Sequence, residues 1–281
     1  MLCFRVLPVI QNKGGSELMN QDIHIVPSTL ADVTPFLEAH FKALSYPFDS
    51  YIEYRLSCCE IFEIYVNNQA IGYIGLIKGS LHFFHILIEY YEFATRVFDW
   101  VVSEFNMKSV YVMTQDSLFL AIISEWEYEK KNESCMFIDS KIQNKEKKEF
   151  EGVVIRIAQM EDLRKIIEGT GTFYDSLEQR IEEETLFLFE KGDQLLGCGH
   201  IEKSVYFKDC VSIGMITCAE HRGKGTGQHI VQYLKKRAYL NGFKPIAGCS
   251  YLNNLSRKTL EKAGMIVTSI GYEAILVKKG F

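Results

Sequence analysis

The sequence predicts a mixed α/β protein built as two copies of one domain, each a mixed, mostly antiparallel sheet with helices on both faces. Three observations predict it. The first is an internal repeat at one constant offset: Ile25, Asp32 and Glu38 of "IVPSTLADVTPFLE" answer to Ile155, Asp162 and Glu168 of "IRIAQMEDLRKIIE". Seen once, a repeat of about 130 residues means two copies of a domain rather than a solenoid. The second is that apolar runs of strand type alternate with helical spacing in both halves, joined by short polar turns. The third is a strand–long helix–strand unit at 209–250. Such a unit is a βαβ crossover, so its two strands run parallel.

Residues 1–20 are read as a tail. Its "MLCFRVLPVI" is apolar but short, and Arg5 interrupts it. With no basic region before it and no small-residue cleavage site after it, it reads as neither signal peptide nor anchor, and Met19 would serve as a start. Residues 21–139 form the first domain, the charged and aperiodic 140–151 a linker, and 152–281 the second domain. Each domain opens with a short strand, a polar turn and an acidic residue in the first helical turn. "NQAIG" (68–72) and "DQLLG" (193–197) mark matching hairpins. The helix from Ala94 to Phe105 matches that from His229 to Leu240, and "SVYVMT" matches "KPIAGCS" as the next strand. In the second half the strands fall at about 153–158, 185–190, 194–203, 209–218, 244–250 and 265–277. The helices there fall at about 160–168, 175–184, 226–241 and 254–263.

Bulk composition narrows the function classes. No apolar run approaches the roughly 20 residues that span a bilayer. The eight cysteines form no CxxC pair and several sit in apolar runs, so they read as reduced thiols of a cytoplasmic protein and not as metal ligands. The net charge of −5 is uneven: 152–281 carries 18 Lys+Arg against 15 Asp+Glu, and 1–151 carries 13 against 21. A local basic surplus in the second half fits a small anionic ligand, not the broad basic face that nucleic acid needs.

That surplus surrounds the stretch with the most chemistry, Ala219-Glu220-His221-Arg222-Gly223-Lys224-Gly225-Thr226-Gly227, which runs straight into the long helix. Closely spaced glycines let backbone N–H groups converge, and a helix start adds unpaired donors and partial positive charge. Arg222 and Lys224 add full charges. The combination suits a phosphate or pyrophosphate. Two better-known phosphate loops do not fit. The nearest P-loop spacing, from Gly197 to Ser204, has Glu202 where its second Gly belongs, and Gly225-Thr226-Gly227 is followed by Ile230 where a dinucleotide fingerprint needs Gly. What fits is Arg222-x-x-Gly225-x-Gly227.

With that loop, the strand before it, the long helix after it and the later "NNLSRKTLEKAGM" block with Asn253, Ser256 and Gly264, the second half resembles the GNAT superfamily of acyl-CoA-dependent N-acyltransferases. The first half resembles the same fold in degenerate form. The resemblance implies acetyl-CoA as cofactor, held by Thr217, Cys218, Arg222, Gly223, Lys224, Gly225, Thr226, Gly227, Gln228, Asn253 and Ser256. It also implies that the strand before the loop splays from its parallel neighbour to admit pantetheine. An amide at Thr217 or a neighbour would then polarise the thioester carbonyl. A fixed N–H aimed at developing oxyanion charge is a strong catalytic group.

The catalytic residues are less plainly marked. The tyrosine that many members use as acid falls at Leu260 here, so Tyr251 is the expected replacement, with Tyr272, Cys249 and Ser250 as alternatives. Proton removal from the amine is assigned to Glu202, with Asp209 and His200 as alternatives acting through water. Cys218 is read as a buried thiol and His221 as a turn residue. The acceptor site is expected against "GTGTFYDSLEQ", where Tyr174, Asp175 and Glu178 could bind a cationic amine.

In the first half, Leu87-Ile88-Glu89-Tyr90-Tyr91-Glu92-Phe93 occupies the place of the loop, and no glycine lies between Ser80 and Met113. That half is expected to bind no CoA. The reading is thus an N-acetyltransferase acting on a small-molecule or peptide amine, monomer or homodimer, with no metal, nucleic acid or membrane partner. A non-catalytic acyl-CoA-binding module and a nucleotide-binding loop stand as alternatives.

Overall fold

The computed structural model describes residues 10–11, 23–141 and 150–277. The chain forms two compact units. The first takes the chain up to Tyr46, Ile52–Glu133 and the chain from Ile270 on; the second takes Pro47–Tyr51 and Ser134–Ser269.

In the first unit the strands lie in the order β1 (Ile10–Gln11), β2 (Ile23–Ser28), β3 (Glu60–Val66), β4 (Gln69–Ile77), β5 (Ser80–Ile86), β6 (Ser109–Met113) and the end of β13 (Met265–Leu276). All neighbours are antiparallel except β5 and β6, which are parallel and meet at Leu81 and Val110. Its helices are α1 (Thr34–Ala43), α2 (Ser50–Ser57), α3 (Ala94–Glu104) and α4 (Ser117–Ile123). Ala94, Val97, Phe98 and Val101 recur at helical spacing, and all four are buried on the sheet. Asp116 caps α4 by accepting the Phe119 N–H at 3.1 Å. The expected tail is thus not wholly outside the fold, since Ile10 pairs with Ile25 and Gln11 with His24; the rest of residues 1–20 lies outside the described residues.

In the second unit the order is β8 (Val154–Ile157), β9 (Leu186–Lys191), β10 (Gln194–Lys203), β11 (Cys210–Thr217), β12 (Lys244–Ser250) and the end of β7 (Tyr128–Asp139). Again one pair is parallel, β11 with β12. The helices are α5 (Leu163–Thr170), α6 (Leu177–Glu182), α7 (Thr226–Leu240) and α8 (Asn254–Lys262). The mixed, mostly antiparallel sheet with one parallel pair is the predicted fold class, present in each unit.

The two halves of the sequence do not keep their own last strands. Residues 134–138 of β7 pair with β12 in the second unit, from Ser134↔Ser250 to Ile138↔Ile246. Residues 271–275 of β13 pair with β6 in the first, from Gly271↔Met113 to Ile275↔Ser109. Both exchanged segments enter cores: Cys135, Met136 and Phe137 are at most 1% exposed, as are Tyr272 and Ala274. A period-two pattern announces a strand but not its partner, so the sequence boundaries 21–139 and 152–281 follow the chain while the units do not.

A polar anchor fixes the end of β7. Lys235 of α7 sits 2.6 Å from Asp139 Oδ1 and donates to the Ala263 carbonyl at 2.7 Å, while the Tyr239 hydroxyl donates to Asp139 Oδ2 at 2.7 Å. The Asp139 side chain is 4% exposed. Removing one member of a buried ion pair strands the other charge. Lys235→Ala is therefore expected to cost the second unit about 3–5 kcal/mol in urea unfolding.

Candidate active site

Strands β11 and β12 part early. Their pairing runs from Cys210↔Lys244 to Ser212↔Ile246, yet β11 continues to Thr217 and β12 to Ser250. Beyond Ser212 the inward edge of β11 has no ladder partner on that side. The direction of its amides follows from the other edge. Cys218 donates to the Leu196 carbonyl at 3.0 Å, which makes Thr217 and Gly197 a pair without mutual hydrogen bonds. The Thr217 N–H therefore points away from β10, into the gap.

At the head of the gap lies the glycine loop. Gly223 and Gly225 have φ of 74° and 88°, in the left-handed region that costs other residues about 1–2 kcal/mol. Gly225 caps α7 from that conformation. The loop is tied down at both ends: His221 N–H donates to the Cys218 carbonyl at 2.9 Å, and His229 N–H to the Gly225 carbonyl at 3.0 Å. Thr226 is buried and its hydroxyl donates to the His221 carbonyl at 3.2 Å. Thr226, Gly227 and Gln228 supply the first amides of α7, which have no partner within the helix. Arg222 Nε donates to the Thr217 carbonyl at 3.2 Å, which holds its guanidinium beside the gap, and Arg222, Gly223 and Lys224 are exposed. A side chain at Gly227 would press on Thr217 Oγ1 at 3.1 Å and Met215 Sδ at 3.2 Å, so glycine lets α7 start against the end of β11. Free amides, left-handed glycines and two cations around one concavity fit a pyrophosphate.

Other expected residues are engaged elsewhere. The Cys218 amide is taken by Leu196, so of the two neighbours Thr217 is the one facing the gap. Gln228 Nε2 donates to the Lys262 carbonyl at 3.0 Å. Asn253 Oδ1 accepts the Ser256 N–H at 3.0 Å and caps α8. Leu260 is a core residue. Tyr251 follows β12 in a turn, half-buried. Tyr272, weighed as an alternative acid of the second half, belongs to the first unit through the strand exchange; it is 1% exposed and stacks on Tyr128. Asp209 is exposed and bound to Lys244 at 2.5 Å. Asp175 and Glu178 are also exposed.

On the face of β10 turned away from α7, Tyr174, Arg180, His200 and Glu202 gather. Glu202 pairs with Ser212 across β10 and β11, and Arg180 of α6 donates to its carboxylate. Burial would raise the Glu202 pKa, but the Ser50 hydroxyl, His200 and Arg180 outweigh it and hold the group below its usual range. Burial pulls His200 down to about 4, with Glu202 opposing and Arg180 assisting. His200 is thus neutral at physiological pH.

Sequence reasoning missed one contributor. Pro47–Tyr51, read as part of the first half, belongs to the second unit. Ser50 N–H donates to Ser212 Oγ at 2.8 Å, Phe48 packs edge-on against Phe207, and the Asp49 carboxylate lies over Gly248. A signal existed: Phe48-Asp49-Ser50 repeats Tyr174-Asp175-Ser176 as the link between the first two helices of each half.

Among its described residues the first unit has no such cradle. Ile88–Phe93 forms a 3-10 turn where the loop would stand. Tyr73 on β4, His85 on β5 and Asp116 after β6 close around His40. His40 is 2.8 Å from both Tyr73 Oη and Asp116 Oδ2 and stacks on His85 at 4.6 Å. All four are buried, and burial pulls His85 down to about 3.

Comparison with known proteins follows the same division. Residues 29–140 match a family model described as an acetyltransferase (GNAT) domain, and residues 154–265 one described as the acetyltransferase (GNAT) family. No curated protein matches the sequence. Among solved structures, an acetyltransferase from the GNAT family of Colwellia psychrerythraea superposes with a TM-score of 0.80 at 20% identity, covering 91% of this chain and 99% of its own. A GCN5-related N-acetyltransferase from Sphaerobacter thermophilus gives 0.61 at 13% identity, covering 92% and 98%. A tandem GNAT protein from the clavulanic acid biosynthesis pathway gives 0.55 at 10% identity, covering 90% and 97%. At these identities the likeness is one of fold.

Proposed function

We propose, for a chain that belongs to the GNAT acetyltransferases with one domain of that family in each half, that the second unit transfers an acetyl group directly from acetyl-CoA to a primary amine. In this reading the first unit binds no CoA. The observation that carries it is the Thr217 amide, aimed into the gap between β11 and β12 directly below a loop of free amides. The loop from Arg222 to Gln228 would hold the pyrophosphate, Arg222 and Lys224 adding charge. Asn253 and Ser256 would border the pantetheine or the adenosine end, and Cys218 would line the gap.

Acetyl-CoA supplies the activated acyl group when bound. The protein's part is to aim the Thr217 N–H at the carbonyl oxygen, where charge develops, and to hold the amine against it. Tyr251 would hydrogen-bond the departing sulfur. Glu202 belongs to the acceptor side. The acceptor is a small molecule or a peptide, and the protein acts as monomer or homodimer. Among the described residues the cysteines are free and no helix is long and apolar enough to cross a membrane. A cytoplasmic setting suits those thiols.

A second reading, an acyl-CoA-binding module without turnover, is favoured by one observation: apolar Leu260 stands where the resemblance implies an acid. Thiol release from acetyl-CoA separates the two. Incubation with ethylamine, ethanolamine, spermidine, glucosamine and a lysyl peptide is expected to release CoA with at least one of them. Acetyl-CoA binding with no release from any amine would favour the module.

A further inference from the structure

Among the buried polar atoms of the second unit that lack a hydrogen-bond partner, two lie in adjoining rings: Tyr174 Oη and His200 Nδ1. Their rings pack edge to face, with centroids 5.6 Å apart. Unpaired buried polar atoms are costly and uncommon, and two in adjoining rings imply a polar group that completes them. The surroundings are built for the pair. Under the His200 ring, β11 presents Gly214, where a Cβ would fall 2.2 Å from Cε1; any other residue would displace the imidazole.

The charges facing this spot are already matched. From the α5–α6 side come Tyr174 and Arg180, from β10 Glu202 and from β11 Gly214 and Ser212, and the buried thiols of Cys198 and Cys218 lie by Tyr174. Arg180 pairs with Glu202, which also accepts from the Ser50 hydroxyl. Arg180 and Ser50 occupy the Glu202 carboxylate, whereas Nδ1 of the His200 ring has no hydrogen-bond partner in the protein.

Building on the acetyltransferase reading, we propose that the acceptor's amine nitrogen binds between Tyr174 Oη and His200 Nδ1, and that His200 takes its proton during transfer. The neutral amine forms the C–N bond to the thioester carbon. The C–S bond breaks with its electron pair on sulfur. The proton leaving nitrogen passes to Nδ1 and then to the thiolate. Glu202 is a positioning residue: its carboxylate stabilises the imidazolium while it exists, and Ser50 holds that carboxylate in place.

The test uses the full chain and the amines named above, with His200→Gln, Tyr174→Phe, Glu202→Gln and Glu202→Asp. Acetyl-CoA affinity is measured first on each by calorimetry. Failure of the wild type to bind would sink the acetyltransferase reading, whatever the amine does. With binding intact, His200→Gln is expected to lower kcat about 100-fold or more, with acetyl-CoA affinity unchanged. Tyr174→Phe is expected to act mainly on the amine KM. Glu202→Gln is expected to lower kcat, and Glu202→Asp to restore most of it. A His200→Gln protein that acetylates the same amine at the wild-type rate overturns the proposal. Should the wild type acetylate none of the five amines, the ¹⁵N-histidine spectrum of the CoA-loaded protein decides. Ethylamine moving the resonance absent from His200→Gln supports the site; an unmoved resonance rejects it.

Discussion

Replacing Gly225 by Glu is expected to abolish acetyl-CoA binding while the protein stays folded. Three effects act together. Gly225 holds φ at 88°, so any side chain there adds about 1–2 kcal/mol of backbone strain. That strain falls on the residue that starts α7 and aims its first amides. A carboxylate would then project into the concavity that the loop offers to a pyrophosphate, and like charges placed face to face cost several kcal/mol. At about 1.4 kcal/mol per tenfold, affinity falls by about 100-fold or more. Arg222→Ala should weaken binding by about tenfold, because it removes one charge-assisted contact and leaves the amides in place. Calorimetry on the wild type is expected to count about one acetyl-CoA per chain. Two per chain would mean that the buried His40 cluster does not close the first unit. A Gly225→Glu protein that binds like the wild type would remove the loop from the site.

A fragment of residues 150–281 is expected neither to fold nor to bind acetyl-CoA, whereas one of residues 134–281 does both. The two differ at one place that matters to the second unit, the strand segment that pairs along β12 from Ser134↔Ser250 to Ile138↔Ile246. Without it, β12 becomes an open edge and the contacts of Cys135, Met136 and Phe137 vanish. Burial of two large apolar side chains is worth about 1.5–3 kcal/mol each, a sizeable part of a domain's net stability of about 5–15 kcal/mol. The Lys235 ammonium, stripped of Asp139, would be left buried as well. Circular dichroism and calorimetry on both fragments check the result. A folded, CoA-binding 150–281 would show that the exchanged strand is dispensable.

The repeat, the strand and helix order and the glycine loop were legible because each rests on local pattern. Gly225 had to be glycine for a conformation, and Ala94 to Val101 had to be apolar at helical spacing. Partner choice was not legible. Nothing in the alternation of "NESCMFID" or "SIGYEAIL" says which sheet each will join, so Tyr272 was weighed for the wrong unit. The Phe48-Asp49-Ser50 segment lay hidden for the same reason, despite its echo at Tyr174. Side-chain engagement was not legible either. The Asn253 amide oxygen caps α8 and the Gln228 amide ties α7 to the end of α8, since such groups satisfy helix termini. The unpaired Tyr174 and His200 atoms could be recognised only once packing had isolated them.

Strand exchange also sets a timetable for biosynthesis. Domains usually fold as units while the chain emerges, the N-terminal one first. Here the first unit lacks its closing strand until residues near the end of the chain appear, because Val112 meets Tyr272 and Ser109 meets Ile275. The nascent first half must therefore wait on the ribosome with β6 uncovered, exposed to misassociation throughout synthesis of the second. The same arrangement ties the halves of the sequence together, since the first contains a strand and a Phe48–Ser50 segment that belong to the second unit.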